Sequence, residues 1–146
     1  MPKSPSKTPP KTPKVHTGHC LCGAVTFRAE GTPLWIAHCH CASCRRNTGS
    51  AVATFVGFRE SQFAVTAGKP KVYESSPGVK RSFCGRCGTP LTYGGARASG
   101  ETHAYLGVMD HPEAYTPTFH VFTEEALPWL HIDDNAQHFR RSSRDG

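Results

Sequence analysis

The sequence predicts an all-β domain of short antiparallel strands, and three features of the chain support this fold class. Short apolar segments recur along the chain and are separated by turn residues. The chain has 14 glycines and 12 prolines, a composition that favours turns over long helices. Its length of 146 residues suits one domain with a single core. We therefore expect a sandwich-like arrangement of antiparallel strands.

The predicted strands begin near Val15 and follow one another at short intervals. The segment 24–28 alternates between apolar and polar residues, which places Val25 and Phe27 on one face. Further strands are predicted wherever an apolar or β-branched segment is bounded by Gly, Pro or Ser. These segments are 34–37, 51–56, 63–65, 71–73, 80–83, 91–93, 103–108 and 118–122. One short helix is predicted at 42–48, and a second helical turn at 124–127.

Both ends of the chain are predicted to lie outside this domain. Residues 1–14 contain four lysines, five prolines and no acidic residue. Because proline fixes φ and removes a hydrogen-bond donor, we expect this segment to be a disordered basic tail. Residues 140–146 contain three arginines and two serines, and we expect a flexible C-terminal tail there. The predicted domain therefore covers residues 15–139.

The formal charge of +6 is concentrated in the N-terminal tail. Four of the 17 basic residues lie there, which leaves 13 basic residues against 11 acidic ones in the rest of the chain. A nearly neutral domain without interleaved aromatic and basic residues argues against dedicated nucleic-acid binding, so we expect at most a weak contact through the tail. The longest apolar run, 51–58, is too short to span a membrane. We expect a cytoplasmic protein, and the sequence leaves its oligomeric state open.

Seven cysteines fall into three short motifs whose spacing favours metal binding over disulfide bonds. An odd number of cysteines and a reducing compartment both argue against a disulfide framework. The first motif holds Cys20 and Cys22, and the third holds Cys84 and Cys87. Together they supply four thiolates, a complete tetrahedral set for a structural zinc ion. The central motif supplies three thiolates, from Cys39, Cys41 and Cys44, and leaves one position open, as catalytic zinc sites do.

Cysteines two residues apart are predicted to point in the same direction. In a strand, residues i and i+2 share a face, so the two cysteines of the first motif can hold one ion, as can Cys39 and Cys41. By the same alternation, His38 and His40 are expected to point away from the central motif. A histidine from elsewhere in the chain remains an alternative fourth ligand. The two candidates are His103 and His120.

Three residues that follow the central motif are candidate substrate contacts. Arg45 can hold a substrate carboxylate in a bidentate pair, or it can serve only to solvate the short helix. Thr48 and Ser50 are candidate anchors for substrate or for an oxyanion. The sequence does not select the acid–base partner. The candidates are His40, His120 and Asp110.

The cysteine motifs and their neighbours resemble the glutathione-dependent formaldehyde-activating enzyme family, whose domain is shared with centromere protein V. The resemblance covers about residues 16–139. The segments that carry it are HCLCGAV at 19–25, CHCASCRR at 39–46, TGS at 48–50, FCGRCGTPL at 83–91, GVMDHP at 107–112, HVF at 120–122 and PW at 128–129.

This resemblance implies a β-tent fold, a structural zinc ion on the outer motifs and a catalytic zinc ion on the central motif. It also implies that glutathione condenses with formaldehyde to S-hydroxymethylglutathione, formally a carbon–sulfur lyase reaction run backwards. Where the family often has a lysine before the Pro-Trp pair, this chain has Glu124 and Glu125. Two alternatives therefore remain, a related lyase acting on another thiol adduct and a zinc-stabilised binding module without enzymatic activity.

Overall fold

The computed structural model describes residues 14–143, which form a three-stranded sheet, an eight-stranded sheet and one short α-helix. The strands are β1 (Val15–His19), β2 (Thr26–Glu30), β3 (Trp35–Cys39), β4 (Ala53–Arg59), β5 (Phe63–Ala67), β6 (Lys71–Ser76), β7 (Val79–Phe83), β8 (Pro90–Gly95), β9 (Glu101–Tyr105), β10 (Phe119–Val121) and β11 (Gln137–His138). The helix α1 spans Ala42–Thr48, and 3-10 turns lie at Glu60–Gln62, Leu106–Val108, Pro112–Ala114 and Thr123–Glu125. The predicted all-β, β-tent class is confirmed.

The sequence prediction gives the helix its observed bounds and gives the strands to within a few residues, except for β11, which it misses. The predicted N-terminal tail lies outside the described residues except for Lys14, and the last three residues of the predicted C-terminal tail do so too. Among residues 14–143, every helix is too short or too polar to cross a bilayer.

The strand order places the central cysteine motif near the middle of the larger sheet. The small sheet has the order β1-β2-β5, and the large sheet has the order β11-β10-β3-β4-β9-β8-β7-β6. Neighbouring strands are antiparallel except that β10 runs parallel to both β3 and β11. The expectation of purely antiparallel strands was therefore wrong at this edge. The chain reaches β10 by a long connection after β9, and such a connection can deliver a strand in either direction.

The main core lies between the two sheets. Phe27 on β2 packs in this cluster with Val56 and Phe58 on β4 and with Leu91 on β8. The ring of Phe27 also stacks on that of Phe63, with centroids 5.0 Å apart. Burial of one such side chain contributes roughly 1.5–3 kcal/mol. Because the cluster also contains Cys20 and Cys84, the outer cysteine motifs lie against the core.

His16 on β1 is a buried polar residue in this interior. Its Nδ1 and the hydroxyl of Tyr115 are 2.6 Å apart, and its Nε2 lies 2.7 Å from the carbonyl oxygen of Gly31. A neutral ring with its proton on Nε2 satisfies both contacts, since Nε2 then donates to Gly31 and Nδ1 accepts from Tyr115. Burial lowers the pKa of His16, although the hydrogen bond to Gly31 acts in the opposite direction.

We predict that His16→Gln lowers the free energy of unfolding by about 1–3 kcal/mol near neutral pH, because it disrupts these buried hydrogen bonds. The folded ring resists protonation, so the unfolded state binds more protons as the pH falls. The contribution of His16 is therefore complete above about pH 6.5 and is lost as the pH falls through the folded-state pKa. Denaturant unfolding followed by circular dichroism at several pH values measures the effect. The difference in free energy of unfolding between wild type and His16→Gln should shrink as the pH falls. His131→Gln, at an exposed position, is the control. If the difference in free energy of unfolding between wild type and His16→Gln grew as the pH falls, His16 would not be a neutral buried ring in the folded state.

Candidate metal centres

The first candidate centre consists of the four cysteines of the outer motifs. The sulfur atoms of Cys20, Cys22, Cys84 and Cys87 all lie within 4.8 Å of one another. Two of the separations are 3.6 Å, between Cys20 and Cys22, and 3.8 Å, between Cys22 and Cys84. A tetrahedral zinc ion with bonds of about 2.3 Å has sulfur–sulfur edges of about 3.8 Å. The donor type and the spacing therefore both fit a zinc ion.

Backbone amides surround this centre and favour the thiolate form of its sulfur atoms. The amide of Val25 donates to Cys20 Sγ at 3.3 Å. The amides of Arg86 and Cys87 donate to Cys84 Sγ at 3.4 and 3.5 Å. Hydrogen bonds to an ionised acceptor stabilise its charge, so these turns are suited to hold thiolates next to the core.

The first motif reaches this geometry through a turn, and the prediction that it lies along a strand was wrong. Strand β1 ends at His19, and the amide of Gly23 donates to the carbonyl oxygen of Cys20 at 3.0 Å. Gly23 has a φ of 79°, which glycine adopts without steric cost. This turn reverses the chain between β1 and β2, and Cys20 and Cys22 come together because both lie in it.

The second candidate centre consists of Cys39, Cys41 and Cys44, whose sulfur atoms also lie within 4.8 Å of one another. Cys39 is the last residue of β3, Cys41 is the N-cap of α1, and Cys44 lies in the helix. The amide of Cys44 donates to Cys41 Sγ at 3.2 Å, which is the N-cap hydrogen bond. Within residues 14–143, no fourth cysteine, histidine or carboxylate joins this cluster at the same spacing.

The protonation of these three cysteines is strongly linked. A hydrogen bond to Cys41 raises the pKa of the buried Cys39 thiol, and the same contact lowers the pKa of Cys41. The cluster can therefore hold one negative charge readily, whereas further thiolates in it are costly. A divalent cation removes this cost, because it allows all three sulfur atoms to be ionised together. The cluster is suited to a metal ion on these grounds.

Arg81 on β7 is a buried cation beside the second centre, and sequence reasoning missed it. It is 6% exposed, and its Nη1 donates to Cys44 Sγ at 3.6 Å and to the hydroxyl of Tyr105 at 3.1 Å. Its guanidinium also lies 4.9 Å from the centroid of the Tyr93 ring. Burial alone would lower the pKa of Arg81, but the bond to Cys44 raises it overall.

The charge of Arg81 balances the charge expected of the centre. Three thiolates and one divalent ion leave one uncompensated negative charge, and a buried charge without a partner is costly. The sequence carries a faint signal of this role. Val79 and Arg81 share the inward face of β7 while Lys80 faces solvent, so an arginine occupies a position at which alternation predicts an apolar residue.

The second centre opens on a cavity of about 410 Å³, a size typical of sites for small molecules. All three cysteines contribute to its wall, together with aromatic side chains and several charged ones. Its lining residues are Trp35, Ala37, Cys39, Cys41, Ser43, Cys44, Phe55, Ser75, Ser76, Val79, Arg81, Tyr93, Arg97, Glu101, His103, Phe119, Val121, Phe122, Glu125, Ser142 and Ser143. The cavity therefore combines apolar walls with a few convergent polar groups.

One wall of the cavity depends on a glycine. Trp35 on β3 pairs with Gly57 on β4, and a Cβ at Gly57 would lie 2.3 Å from Cε2 of the indole. The indole can therefore lie across β4 only because residue 57 has no side chain. Its Nε1 donates to Glu101 Oε1 at 2.9 Å, and His103 Nε2 lies 3.0 Å from the same oxygen. Trp35 thus positions an imidazole–carboxylate pair at the cavity.

The predicted substrate contacts after the central motif make hydrogen bonds to other groups of the protein, and they are not among the residues that line the cavity. Arg45 Nη1 donates to the carbonyl oxygens of His40 and Glu125. The hydroxyl of Thr48 donates to the carbonyl oxygen of Cys44 at 2.8 Å and is 3.3 Å from the amide of Ser50. Their assignment as substrate anchors stays a prediction.

His38 points away from the central motif, as strand alternation predicts. His40 and Cys41 lie beyond the end of β3, so the prediction that Cys39 and Cys41 share a strand face was wrong. His38 Nδ1 lies 2.7 Å from the hydroxyl of Thr54, and His40 stacks on His120 with centroids 5.1 Å apart. Neither of these histidines lines the cavity, and the other acid–base candidates, His120 and Asp110, do not line it either. Of the two distant histidines considered as a fourth ligand, His103 lines the cavity and His120 does not.

The two glutamates before the Pro-Trp pair have different surroundings. Glu124 lies 3.5 Å from Arg140 and 3.1 Å from Arg141, so its charge is matched by two cations. Glu125 lines the cavity, and its Oε1 accepts a hydrogen bond of 3.1 Å from the amide of Ala42. Glu125 is therefore the one of the pair that a bound molecule would meet.

Comparisons with known proteins agree with this geometry. The profile of the glutathione-dependent formaldehyde-activating enzyme family matches residues 15–125, a span that includes all seven cysteines. The crystal structure of a Rhodobacter sphaeroides protein is similar in fold, with a TM-score of 0.55 and 21% sequence identity over 84% of this chain and 98% of the other. At that identity the similarity concerns the fold alone. A search of curated proteins found no match.

We predict that the two centres respond differently to loss of one cysteine. Cys84→Ser should unfold the domain, because a structural zinc site supplies roughly 10–16 kcal/mol of apparent binding free energy, as much as the entire stability of a typical domain. Cys44→Ser should lose metal from the second centre only and keep the fold. Metal analysis and circular dichroism of purified protein measure both effects. A folded Cys84→Ser variant with an unchanged metal content would refute the first assignment.

Proposed function

Because the chain belongs to the glutathione-dependent formaldehyde-activating enzyme family, we propose that it adds the thiol of glutathione to formaldehyde to give S-hydroxymethylglutathione. The observation that carries this proposal is the second centre. Three cysteine sulfur atoms converge there with no fourth ligand among the described residues, and they open on a cavity of about 410 Å³. Such a centre suits a reaction in which a substrate thiol comes close to the three sulfur atoms.

Cys39, Cys41 and Cys44 are the residues that would hold the catalytic zinc ion. When bound there, zinc supplies a positive charge that favours the thiolate form of a substrate thiol, which is the nucleophilic form. The four outer cysteines would hold a second zinc ion with a purely structural role.

The proposed reaction is an addition in which all atoms of both substrates are retained. The thiol gives up its proton, and an electron pair of the sulfur forms the new carbon–sulfur bond. The π pair of the aldehyde moves to its oxygen, which then takes up a proton. His103 is the imidazole that lines the cavity, and its contact with Glu101 fixes the ring orientation, so we assign proton transfer to this pair.

Charged groups around the cavity suit a thiol that carries carboxylates. Glutathione has two carboxylates, and Arg97 lines the cavity together with Arg81. Arg81 is engaged with Cys44 and Tyr105, which leaves Arg97, an exposed residue, as the better candidate to pair with a carboxylate of the substrate.

A related lyase that acts on another thiol adduct is the second candidate, and Glu125 is the observation that favours it. This carboxylate lines the cavity where the family often has a lysine nearby in sequence. It would repel the two carboxylates of glutathione and would suit a thiol that carries no carboxylate.

We predict that the chain accelerates the formation and breakdown of S-hydroxymethylglutathione and that Cys44→Ser abolishes the acceleration. Formaldehyde adds to thiols unaided, so exchange-mode NMR spectroscopy must compare the wild type with the variant and with a protein-free sample. Activity equal to wild type in folded Cys44→Ser would contradict the proposal. The same experiment with an uncharged thiol, and with a thiol that has an amine but no carboxylate, separates the two candidate reactions, because only the preferred substrate should show a large excess over background.

We predict that Arg81→Met weakens metal retention at the second centre and lowers turnover by about 10–100-fold, since a hydrogen bond to a charged group contributes about 1.5–3 kcal/mol. Lys80→Met removes a positive charge from the neighbouring exposed position and is the matched control. Competition with a metal chelator, monitored by mass spectrometry, measures retention. Equal loss of metal from the two variants would show that Arg81 acts only through the net charge of the domain and not through its hydrogen bond to Cys44.

A further inference from the structure

A row of imidazoles lies on the sheet face opposite the cavity. His120 on β10 pairs in register with His38 on β3 and with His138 on β11. Because these three strands run parallel at the same level, their rings lie side by side. The centroid distances are 4.8 Å between His38 and His120 and 4.3 Å between His120 and His138.

This row is separate from the cysteine centres. Along β3 the cavity is lined by Ala37 and Cys39, and His38 lies between them; along β10 it is lined by Phe119 and Val121, and His120 lies between those. Since alternate residues of a strand face opposite sides, the histidines face away from the cavity.

Three of the side chains on this face are arranged as metal ligands. One ligand atom from each of His38, His120 and Asp134 lies within 4.8 Å of the others, and His120 Nε2 is 2.9 Å from Asp134 Oδ2. His120 is 1% exposed, whereas the side chain of Asp134 is 26% exposed, so the cluster is anchored in the protein and reachable from solvent. Imidazole and carboxylate donors suit zinc, cobalt and nickel ions.

The remaining polar atoms of these ligands are held as they are in known metal sites. Metal-bound histidines usually use their second ring nitrogen for a hydrogen bond that fixes the ring orientation. His38 Nδ1 lies 2.7 Å from the hydroxyl of Thr54, and His120 Nδ1 lies 2.9 Å from His40 Nε2. Asp134 Oδ1 accepts a bond of 3.2 Å from the amide of Ala136. Each candidate ligand therefore has one atom fixed by a neighbour and another atom directed into the cluster.

A hydrogen-bond network alone accounts less well for this arrangement. His40 is 5% exposed, and its Nδ1 is buried without a hydrogen-bond partner among the described residues. Buried networks that serve only to hold a fold are normally satisfied throughout. The Nδ1 of His40, unpartnered within residues 14–143, departs from that rule.

We propose that His38, His120 and Asp134 form a third metal site, which binds a divalent transition ion with solvent as the remaining ligand. The ion would join β3 and β10 to the segment around Asp134. That segment leads through β11 to Ser142 and Ser143, which line the cavity, so the ion would stabilise one of the cavity walls.

The test adds Co²⁺ to untagged, full-length protein whose cysteine centres are already loaded with zinc. We expect one further Co²⁺ to bind per chain by calorimetry, with an absorption spectrum that lacks sulfur-to-cobalt charge transfer and with no release of zinc. Asp134→Asn should weaken this binding by at least about tenfold, because loss of a metal ligand lowers metal affinity at least as much as loss of a residue that only hydrogen-bonds to a ligand. Its amide oxygen can still accept from His120, and the position is exposed, so the fold should be kept.

Asp133→Asn is the matched control, because it removes the same charge at the adjacent exposed position and should bind Co²⁺ like the wild type. The proposal is overturned if no further Co²⁺ binds, if it binds only by displacing zinc, or if both variants bind it as the wild type does. None of these outcomes depends on catalytic turnover, so the third site and the proposed reaction can fail separately.

Discussion

Cysteine sulfur atoms from distant parts of the chain converge at two centres, and this convergence holds the two sheets and the cavity in place. Cys20 and Cys84 are buried in the core between the sheets, and Cys22 Sγ comes within 3.8 Å of Cys84 Sγ. A metal ion there would tie the turn after β1 to the turn after β7. The small sheet would then be fixed against the large one, whose middle strands β3, β4 and β9 carry the walls of the cavity.

Strand alternation separates two kinds of chemistry in the large sheet. On β3 and β10, one face presents a cysteine and apolar side chains to the cavity, and the other face presents imidazoles. The buried Arg81 belongs to the first face, where it would offset the negative charge that remains when three thiolates hold a divalent ion. Sulfur donors with a cationic partner thus lie on one side, and nitrogen and oxygen donors lie on the other.

The sequence predicts features that depend on neighbouring residues. The end of α1 can be read from the sequence because Gly49, which follows it, is a local stop signal. The grouping of the cysteines follows from donor counting. Arg81 was missed as a cavity residue, and His103 was named only as one of two possible fourth ligands, because the pairing of β7, β8 and β9 that brings both residues to the cavity is not a local pattern. Likewise, the place of Trp35 depends on the missing side chain of Gly57, and no local pattern reveals that contact.

X-ray absorption at the zinc edge, on protein loaded with two equivalents of zinc, would show whether the second centre has three sulfur ligands and an open position. One complete centre and one three-sulfur centre predict an average of about 3.5 sulfur ligands per zinc, rising to about 4 when a substrate thiol is added. An average that does not change on addition of thiol, with a histidine nitrogen already completing the second centre, would contradict the account.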